Sequence, residues 1–254
     1  MTRDQAPFQP SPRRAPSVRV AFQTLWRTLR HAYDNLGTLL IASLLWYLGA
    51  LLILPIGIVT AALYRVTRPM SEERAASWRS FFDYWRADLR WGTELTAVLI
   101  FGFTLLQVNA GFYAAAAWEP LRWLATVSLG LMLVWAGVAL YAFPLALRQQ
   151  QQRLTTTLRN AFVMAMANAP GTLLSLILLG LLVGVLLLLP PLFVFVPGVI
   201  ALWGQENARL LLVTSGFLPP DEIADRGLLR QEQQAAADDP AARRARRHDP
   251  SRRL

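Results

Sequence analysis

Residues 171–203 read GTLLSLILLGLLVGVLLLLPPLFVFVPGVIALW and contain no acidic or basic side chain. Two further stretches, residues 96–118 and 123–147, contain no ionisable group other than tyrosine. A helix needs about 20 predominantly apolar residues to cross a bilayer. These three stretches therefore predict an all-α fold, a polytopic bundle of transmembrane helices.

The composition of the whole chain agrees with a membrane protein. Of the 254 residues, 54% are hydrophobic and 16% are charged, whereas soluble domains carry about 25% charged residues. The formal charge of +9 comes from arginine alone, because the sequence contains no lysine. It also contains no cysteine, which excludes disulfides, thiolate metal sites and cysteine nucleophiles.

Proline and charge divide the chain into three regions. Residues 1–17 form a basic arm with four prolines, and residues 218–254 form an arginine-rich tail, so both are predicted to be disordered. Residues 18–217 are the predicted helical membrane domain. At its start, apolar residues recur at helical spacing from Phe22 to Tyr33, which predicts an amphipathic helix at the membrane surface before the first span.

A second amphipathic segment covers residues 71–92, and Ser71 is its predicted N-cap. Its apolar stripe and one flanking base are Trp78, Phe81, Phe82, Trp85, Leu89 and Arg86. Tryptophan and phenylalanine beside arginine suit the headgroup region, so a membrane-surface helix is favoured. The same stripe could instead pack on a protein partner.

Arginine placement predicts the topology, since cytoplasmic loops carry the excess of basic residues. Arginine-rich segments precede residue 36, follow residue 64, follow residue 147 and fill the tail. If all four face the cytoplasm, about six membrane segments form three hairpins, with both chain ends cytoplasmic. The arms after Pro55 and Pro190 are short, so four or five spans are the alternative.

The few polar side chains in or near the spans are the candidate functional residues. Gln107 and Asn109 lie mid-span, where they either line a substrate path or form hydrogen bonds between helices, and the second is favoured. Glu206 follows the last short arm, where pairing with an arginine is favoured over ion transport. Asn35 is expected to cap the first span.

These residues form no cluster of nucleophiles, bases or metal ligands. Both histidines, His31 and His248, lie outside the uncharged stretches, and there is no phosphate-binding loop or nucleophile elbow. We therefore expect a protein that is not an enzyme and has no metal or cofactor. The arginine run at 243–247 is expected to hold anionic headgroups and no nucleic acid, since no aromatic residues interleave with it.

An internal repeat relates the first and third predicted hairpins. The groups Thr-Leu-Arg, Ala, Gly-Thr-Leu-Leu and Leu-Pro occur in this order within residues 28–55 and again within residues 157–190. A parallel duplication would explain this pattern. Chance similarity between leucine-rich helices would explain it as well.

The most specific motifs are Ile56-Gly57 followed by Thr60-Ala61-Ala62-Leu63-Tyr64, and Phe81-Phe82 followed by Trp85-Arg86-Ala87-Asp88-Leu89. With them, the chain from about Leu25 to about Leu212 resembles the YesL family, also called DUF624. The resemblance implies an all-helical protein of the bacterial inner membrane, whose genes often lie near carbohydrate transporters of the ABC type.

From this resemblance and the aromatic-arginine segment we expect an accessory or scaffold protein that contacts a sugar ABC-transporter permease. The alternative is a small-solute transporter or channel. Breaks at Pro55 and Pro190 favour the alternative, because transporters often use discontinuous helices. The lack of a carboxylate inside the uncharged stretches speaks against it.

Overall fold

The structure is a computed structural model that describes residues 17–52, 56–85, 89–149 and 153–214, with only the backbone given for 17, 18, 83–85 and 89. Within these ranges the chain is helical and contains no strand, which confirms the all-α prediction. The helices are α1 (Ser17–Asp34), α2 (Leu36–Leu51), α3 (Ile56–Ser71), α4 (Ser80–Trp85), α5 (Leu89–Ala114), α6 (Glu119–Ala146), α7 (Leu154–Ala167), α8 (Ala169–Leu188), a 3-10 helix (Pro190–Phe195) and α9 (Val196–Thr214).

Three of the described helices, α5 from Arg90 onward, α6 and α8, are long and apolar enough to cross a membrane. A fourth span results if α1 and α2, which meet at an angle of 93°, are counted together. Helices α2 and α3 have 16 residues each, or about 24 Å at a rise of 1.5 Å per residue. The described helices thus indicate a membrane protein with three or four spans of full length.

Helix α9 lies at the centre of the bundle and contacts α1, α2, α3, α6 and α8. Its buried residues run almost without interruption from Pro197 to Leu211. The surrounding core includes Leu39, Val59 and Tyr141, which are fully buried. Because neighbours cover every side of α9, its polar second half is enclosed by the bundle as well.

Helices α5 and α6 pack along each other, and the indole Nε1 of Trp135 donates to the carbonyl of Leu99 at 3.0 Å. Their far halves extend beyond the rest of the bundle. Phe112 and Trp123 are each 69% exposed there, among many other apolar side chains. Such a surface is stable when lipid or another membrane helix covers it, because a soluble monomer rarely exposes so large an apolar patch.

The prediction of one amphipathic helix over residues 71–92 is wrong. Helix α3 continues to Ser71 and closes in a Schellman turn, in which the Arg74 amide donates to the Pro69 carbonyl at 2.8 Å. Glu73 adopts φ 55° in the left-handed position of this turn. Ser71 is therefore not an N-cap, and its hydroxyl donates to the carbonyl of Arg68 at 2.8 Å.

In the rest of that segment, residues 72–79 form turns and a loop, residues 80–85 form the short helix α4, and α5 begins at Leu89. Phe81 is fully buried, whereas the neighbouring Phe82 is 53% exposed. The two aromatic rings therefore do not share one lipid-facing stripe, as the sequence pattern had suggested.

Pro197 is the second residue of α9 and does not interrupt this helix. It occupies the first turn of α9, where a helix loses no hydrogen bond to proline because the first amides have no intrahelical acceptor. The bend instead lies at the 3-10 helix that Pro190 opens. Helix α9 then continues through the polar residues after Gly204 that had been placed outside the arm.

The order of elements is the same in the two candidate repeats. In each, one helix ends at an asparagine, an apolar helix follows, and a proline-containing segment leads to a buried helix: α1, α2 and α3 in the first, α7, α8 and α9 in the second. The junction residues Asn35 and Asn168 have similar backbone angles, φ −122° and ψ 27° against φ −128° and ψ 45°. This correspondence favours a duplication over chance similarity.

Candidate functional site

The candidate site is a buried polar layer around the second half of α9. Gln205, Glu206, Asn207 and Arg209 are each at most 3% exposed. Burying polar and charged groups is unfavourable unless each has a partner. The neighbouring helices supply most of those partners, and the contacts define the site.

Glu206 connects α9 to α1. Its Oε1 atom lies 2.7 Å from Nδ1 of His31, and its Oε2 atom lies 4.0 Å from Nη1 of Arg27. At this distance the carboxyl group and the imidazole share a hydrogen bond. The expected pairing of Glu206 with an arginine is present as a 4.0 Å ion pair without a hydrogen bond, and the closest partner is histidine.

Asn207 connects α9 to α8 through a single hydroxyl. The Oγ atom of Ser175 accepts from Nδ2 of Asn207 at 2.6 Å and from Nε1 of Trp203 at 2.9 Å. One turn away, the hydroxyls of Tyr141 and Thr172 are 3.1 Å apart, which joins α6 to α8. These hydrogen bonds fix the rotation of α9 against both helices.

Gln205 connects α9 to α3, because its Nε2 atom donates to the carbonyl of Tyr64 at 3.0 Å. The helices approach closely here, and a Cβ at Gly204 would lie 3.1 Å from the carbonyl oxygen of Leu140. The Tyr64 ring stacks on Phe143 of α6 with centroids 4.8 Å apart. Glycine at 204 thus permits contact among three helices.

Arginines lie at one side of the polar layer, near the C-terminal ends of α3, α6 and α9. Arg209 donates from Nη1 to the carbonyl of Ser71, and Arg68 donates from Nη1 to the carbonyl of Leu147 at 2.6 Å. Arg148 follows α6, and burial lowers the pKa of its guanidinium to about 10, with the nearby positive charges of Arg68 and Arg209 adding to the shift. Even so, Arg148 is charged at neutral pH.

Of the predicted site residues that the structure describes, Glu206 lies in this layer and the others lie elsewhere. Asn35 stands at the corner between α1 and α2, but its side chain does not cap α2: Nδ2 donates to the carbonyl of His31 at 3.0 Å. Asn109 donates from Nδ2 to the carbonyl of Leu105 on its own helix at 2.8 Å. Gln107 is exposed on α5.

The remaining predicted residues belong to the segment between α3 and α5. Trp78 and Phe82 are exposed, and the guanidinium of Arg79 lies 5.7 Å from the centre of the Trp78 ring. Trp85 ends α4, and its side chain and all of Arg86 lie outside the described part of the structure. Their assignment as partner contacts stays a prediction.

Sequence reasoning missed His31, Arg148 and Ser175. The sequence held one signal for the first of them: Thr24, Thr28 and His31 recur at helical spacing and form the polar, buried face of α1. The apolar stripe of α1 lies on the opposite side and points outward, with Trp26 70% exposed. In a membrane bundle the more polar face of a helix often turns inward, which reverses the expectation for soluble proteins.

Within the described ranges no group of three or more histidine, aspartate or glutamate residues is placed to hold a metal ion. No curated protein and no solved structure matches the chain. A family model described as "Protein of unknown function, DUF624" matches residues 39–110, which cover most of α2, all of α3 and α4, and most of α5. Through this stretch the chain is similar to the DUF624 family.

Proposed function

We propose that the protein is a non-enzymatic accessory or scaffold protein of the bacterial inner membrane. In this role it binds the transmembrane helices of a partner, for which we propose a permease of a carbohydrate ABC transporter. The single observation that carries the proposal is the exposed outer half of α5 and α6. Two long apolar helices that extend beyond their own bundle provide surface for another membrane protein.

Gln107 gives this surface a polar contact point. Its amide is exposed on α5 between the exposed apolar residues Leu105 and Val108. A polar side chain in the hydrocarbon region gains a hydrogen bond when a second helix packs against it, an interaction worth about 1 kcal/mol. Gln107 is therefore the proposed centre of the interface with the partner.

The proposed topology has six membrane segments in three hairpins, with both chain ends in the cytoplasm. Side-chain contacts support pairing of the short helices with their neighbours: Nε1 of Trp46 in α2 donates to the Thr60 hydroxyl in α3 at 3.0 Å. The Trp203 contact with Ser175 joins α9 to α8 in the same way. In this arrangement Trp78, Arg79 and Phe82 face cytoplasmic anionic headgroups.

Co-purification from native membranes in mild detergent tests the scaffold proposal. We expect a sugar permease to be recovered with the wild-type protein and at least several-fold less with Gln107→Leu. The matched control is Val108→Leu, the next position on the same exposed helix, which should leave recovery unchanged. Failure to recover any permease reproducibly would refute the partner, and equal recovery with both variants would refute Gln107 as the contact.

A second candidate function is a small-solute transporter or channel. Buried Glu206 with His31 favours it, because an enclosed carboxylate can couple solute movement to a cation. The matching order of elements in α1–α3 and α7–α9 agrees with the repeat architecture of many transporters. Flux of small sugars and ions from loaded liposomes tests this candidate, and equal flux from protein-free liposomes would eliminate it.

A further inference from the structure

Three helices bring arginines together at one end of the bundle. Arg68 lies in the last turns of α3, Arg148 directly follows α6, and Arg209 lies in α9. The bonds of Arg68 to the Leu147 carbonyl and of Arg209 to the Ser71 carbonyl hold the three chain segments against one another. The guanidinium groups are thus positioned by backbone contacts.

Two of these arginines keep buried nitrogen atoms that have no hydrogen-bond partner. They are Nε and Nη2 of Arg148 and Nη2 of Arg209. Nε and Nη2 form one edge of the guanidinium plane, the edge that binds two oxygens of a carboxylate or phosphate at once. Leaving such charged donors buried without an acceptor is strongly unfavourable. An oxyanion bound at these nitrogen atoms would supply the missing hydrogen-bond acceptors.

The charge balance around the cluster points the same way. Positive charges act on Arg148 from Arg68, Arg74 and Arg209, whereas Glu206 is the acid that acts on it. Glu206 already accepts from His31, and Glu72 already pairs with both Arg68 and Arg74. Glu206 and Glu73 also act on Arg209, so the excess of positive charge is greatest at Arg148, on which three arginines and one acid act.

We propose that Arg148 and Arg209 form a binding site for a phosphate group. Arg148 offers the bidentate edge, and Arg209 adds a third donor while its Nη1 atom holds α9 to α3. Arg148 lies two positions beyond Ala146, where the candidate span of α6 ends. This is the depth of phospholipid headgroups, so the phosphate belongs either to an anionic lipid or to a small soluble compound. The part-exposed position of Arg148 at the end of the bundle gives the phosphate its entry.

Binding by the unaltered protein is the first test. The full chain is purified in mild detergent, and its thermal unfolding is followed while either phosphatidylglycerol or inorganic phosphate is added, with phosphatidylcholine and chloride as the respective controls. Stabilisation by phosphatidylglycerol alone assigns a lipid headgroup, and stabilisation by inorganic phosphate assigns a soluble phosphate compound. No stabilisation by either would overturn the proposal.

Two variants separate phosphate binding from a structural role. Arg148→Met removes a buried, unpaired charge, so we expect it to unfold at a higher temperature than wild type without ligand and to lose the ligand-induced shift. Arg148→Lys keeps the charge but lacks the bidentate edge, and we expect its affinity to fall about tenfold. Arg153→Met, at an exposed arginine later in the same connection, is the control and should bind normally. A ligand-induced shift retained in Arg148→Met would refute the assignment.

Discussion

The Nδ1 atom of His31 lies 2.7 Å from Oε1 of Glu206, although the two residues are 175 positions apart in the sequence. Neither side chain is more than 8% exposed. This contact fastens α1, which lies across the start of α2, to the central helix of the bundle. It makes the orientation of α1 dependent on α9 and so joins the two ends of the described chain.

Removing one member of this buried pair should lower the free energy of unfolding more than removing both members does. His31→Leu removes the closest partner of the Glu206 carboxylate and leaves, among the described residues, only Arg27 within 4.0 Å, so we expect the free energy of unfolding to fall by about 3 kcal/mol. The double variant His31→Leu/Glu206→Leu should recover part of that loss, because neither member of the pair then stays buried without the other, while Arg148 and Arg209 lose the nearby charge of Glu206. Thermal unfolding in detergent, followed by tryptophan fluorescence, measures both.

The control for this cycle is Tyr33→Leu, since Tyr33 belongs to the same helix and is 75% exposed. It should change stability by less than about 0.5 kcal/mol. A His31→Leu variant no less stable than this control would show that the histidine contact contributes nothing.

Ser175 should contribute more to the stability of the fold than its small side chain suggests, because its hydroxyl accepts hydrogen bonds from both Trp203 and Asn207. Ser175→Ala leaves two buried N–H donors without an acceptor, and we expect a loss of about 2 kcal/mol in unfolding free energy. Ser128→Ala is the matched control, since the Ser128 hydroxyl donates only to the Leu124 carbonyl of its own helix. Equal stability of the two variants in the same unfolding measurement would contradict the role given to Ser175.

The close approach of α3 and α5 provides a packing test. A Cβ atom at Gly57 would lie 2.5 Å from Cα of Thr93 and 2.8 Å from the carbonyl oxygen of Gly92. Backbone cannot move aside as a flexible side chain does, so Gly57→Ala should lower the unfolding free energy by about 2 kcal/mol. Gly111→Ala, where nothing lies within 4 Å of the new Cβ, should be neutral or slightly stabilising. A Gly57→Ala variant as stable as Gly111→Ala would contradict this packing.

Local sequence patterns were sufficient to predict the long helices but not the buried polar layer. The uncharged stretches of α5, α6 and α8 identify spans because the bilayer imposes a minimum length of apolar helix. Ser71 could not be assigned correctly, since serine fits both an N-cap and the last turn of a helix. His31 and Glu206 meet only because the bundle packs α1 on α9, and helical spacing alone does not indicate which helices become neighbours.

The proposed topology can be tested with single cysteines, because the natural sequence contains none. Ser77→Cys, Glu119→Cys, Arg153→Cys and Pro191→Cys replace residues that are exposed in connections or at helix ends. With three hairpins, an impermeant thiol reagent added to intact cells should label positions 119 and 191 only. Positions 77 and 153 should react only after the cells are permeabilised, since the arginine-rich connections face the cytoplasm in the proposed topology.

Permeabilised cells are the internal control, because all four positions must then react if each is accessible. Labelling of position 77 in intact cells would mean that α2 and α3 do not return the chain to the cytoplasmic side. In that case Trp78 and Phe82 would lie outside the cell, and neither could contact cytoplasmic headgroups or the cytoplasmic face of a permease. Labelling at 119 and 191 with protection at 77 and 153 would instead place the arginine cluster of Arg148 and Arg209 at the cytoplasmic leaflet, where anionic lipid is available to it.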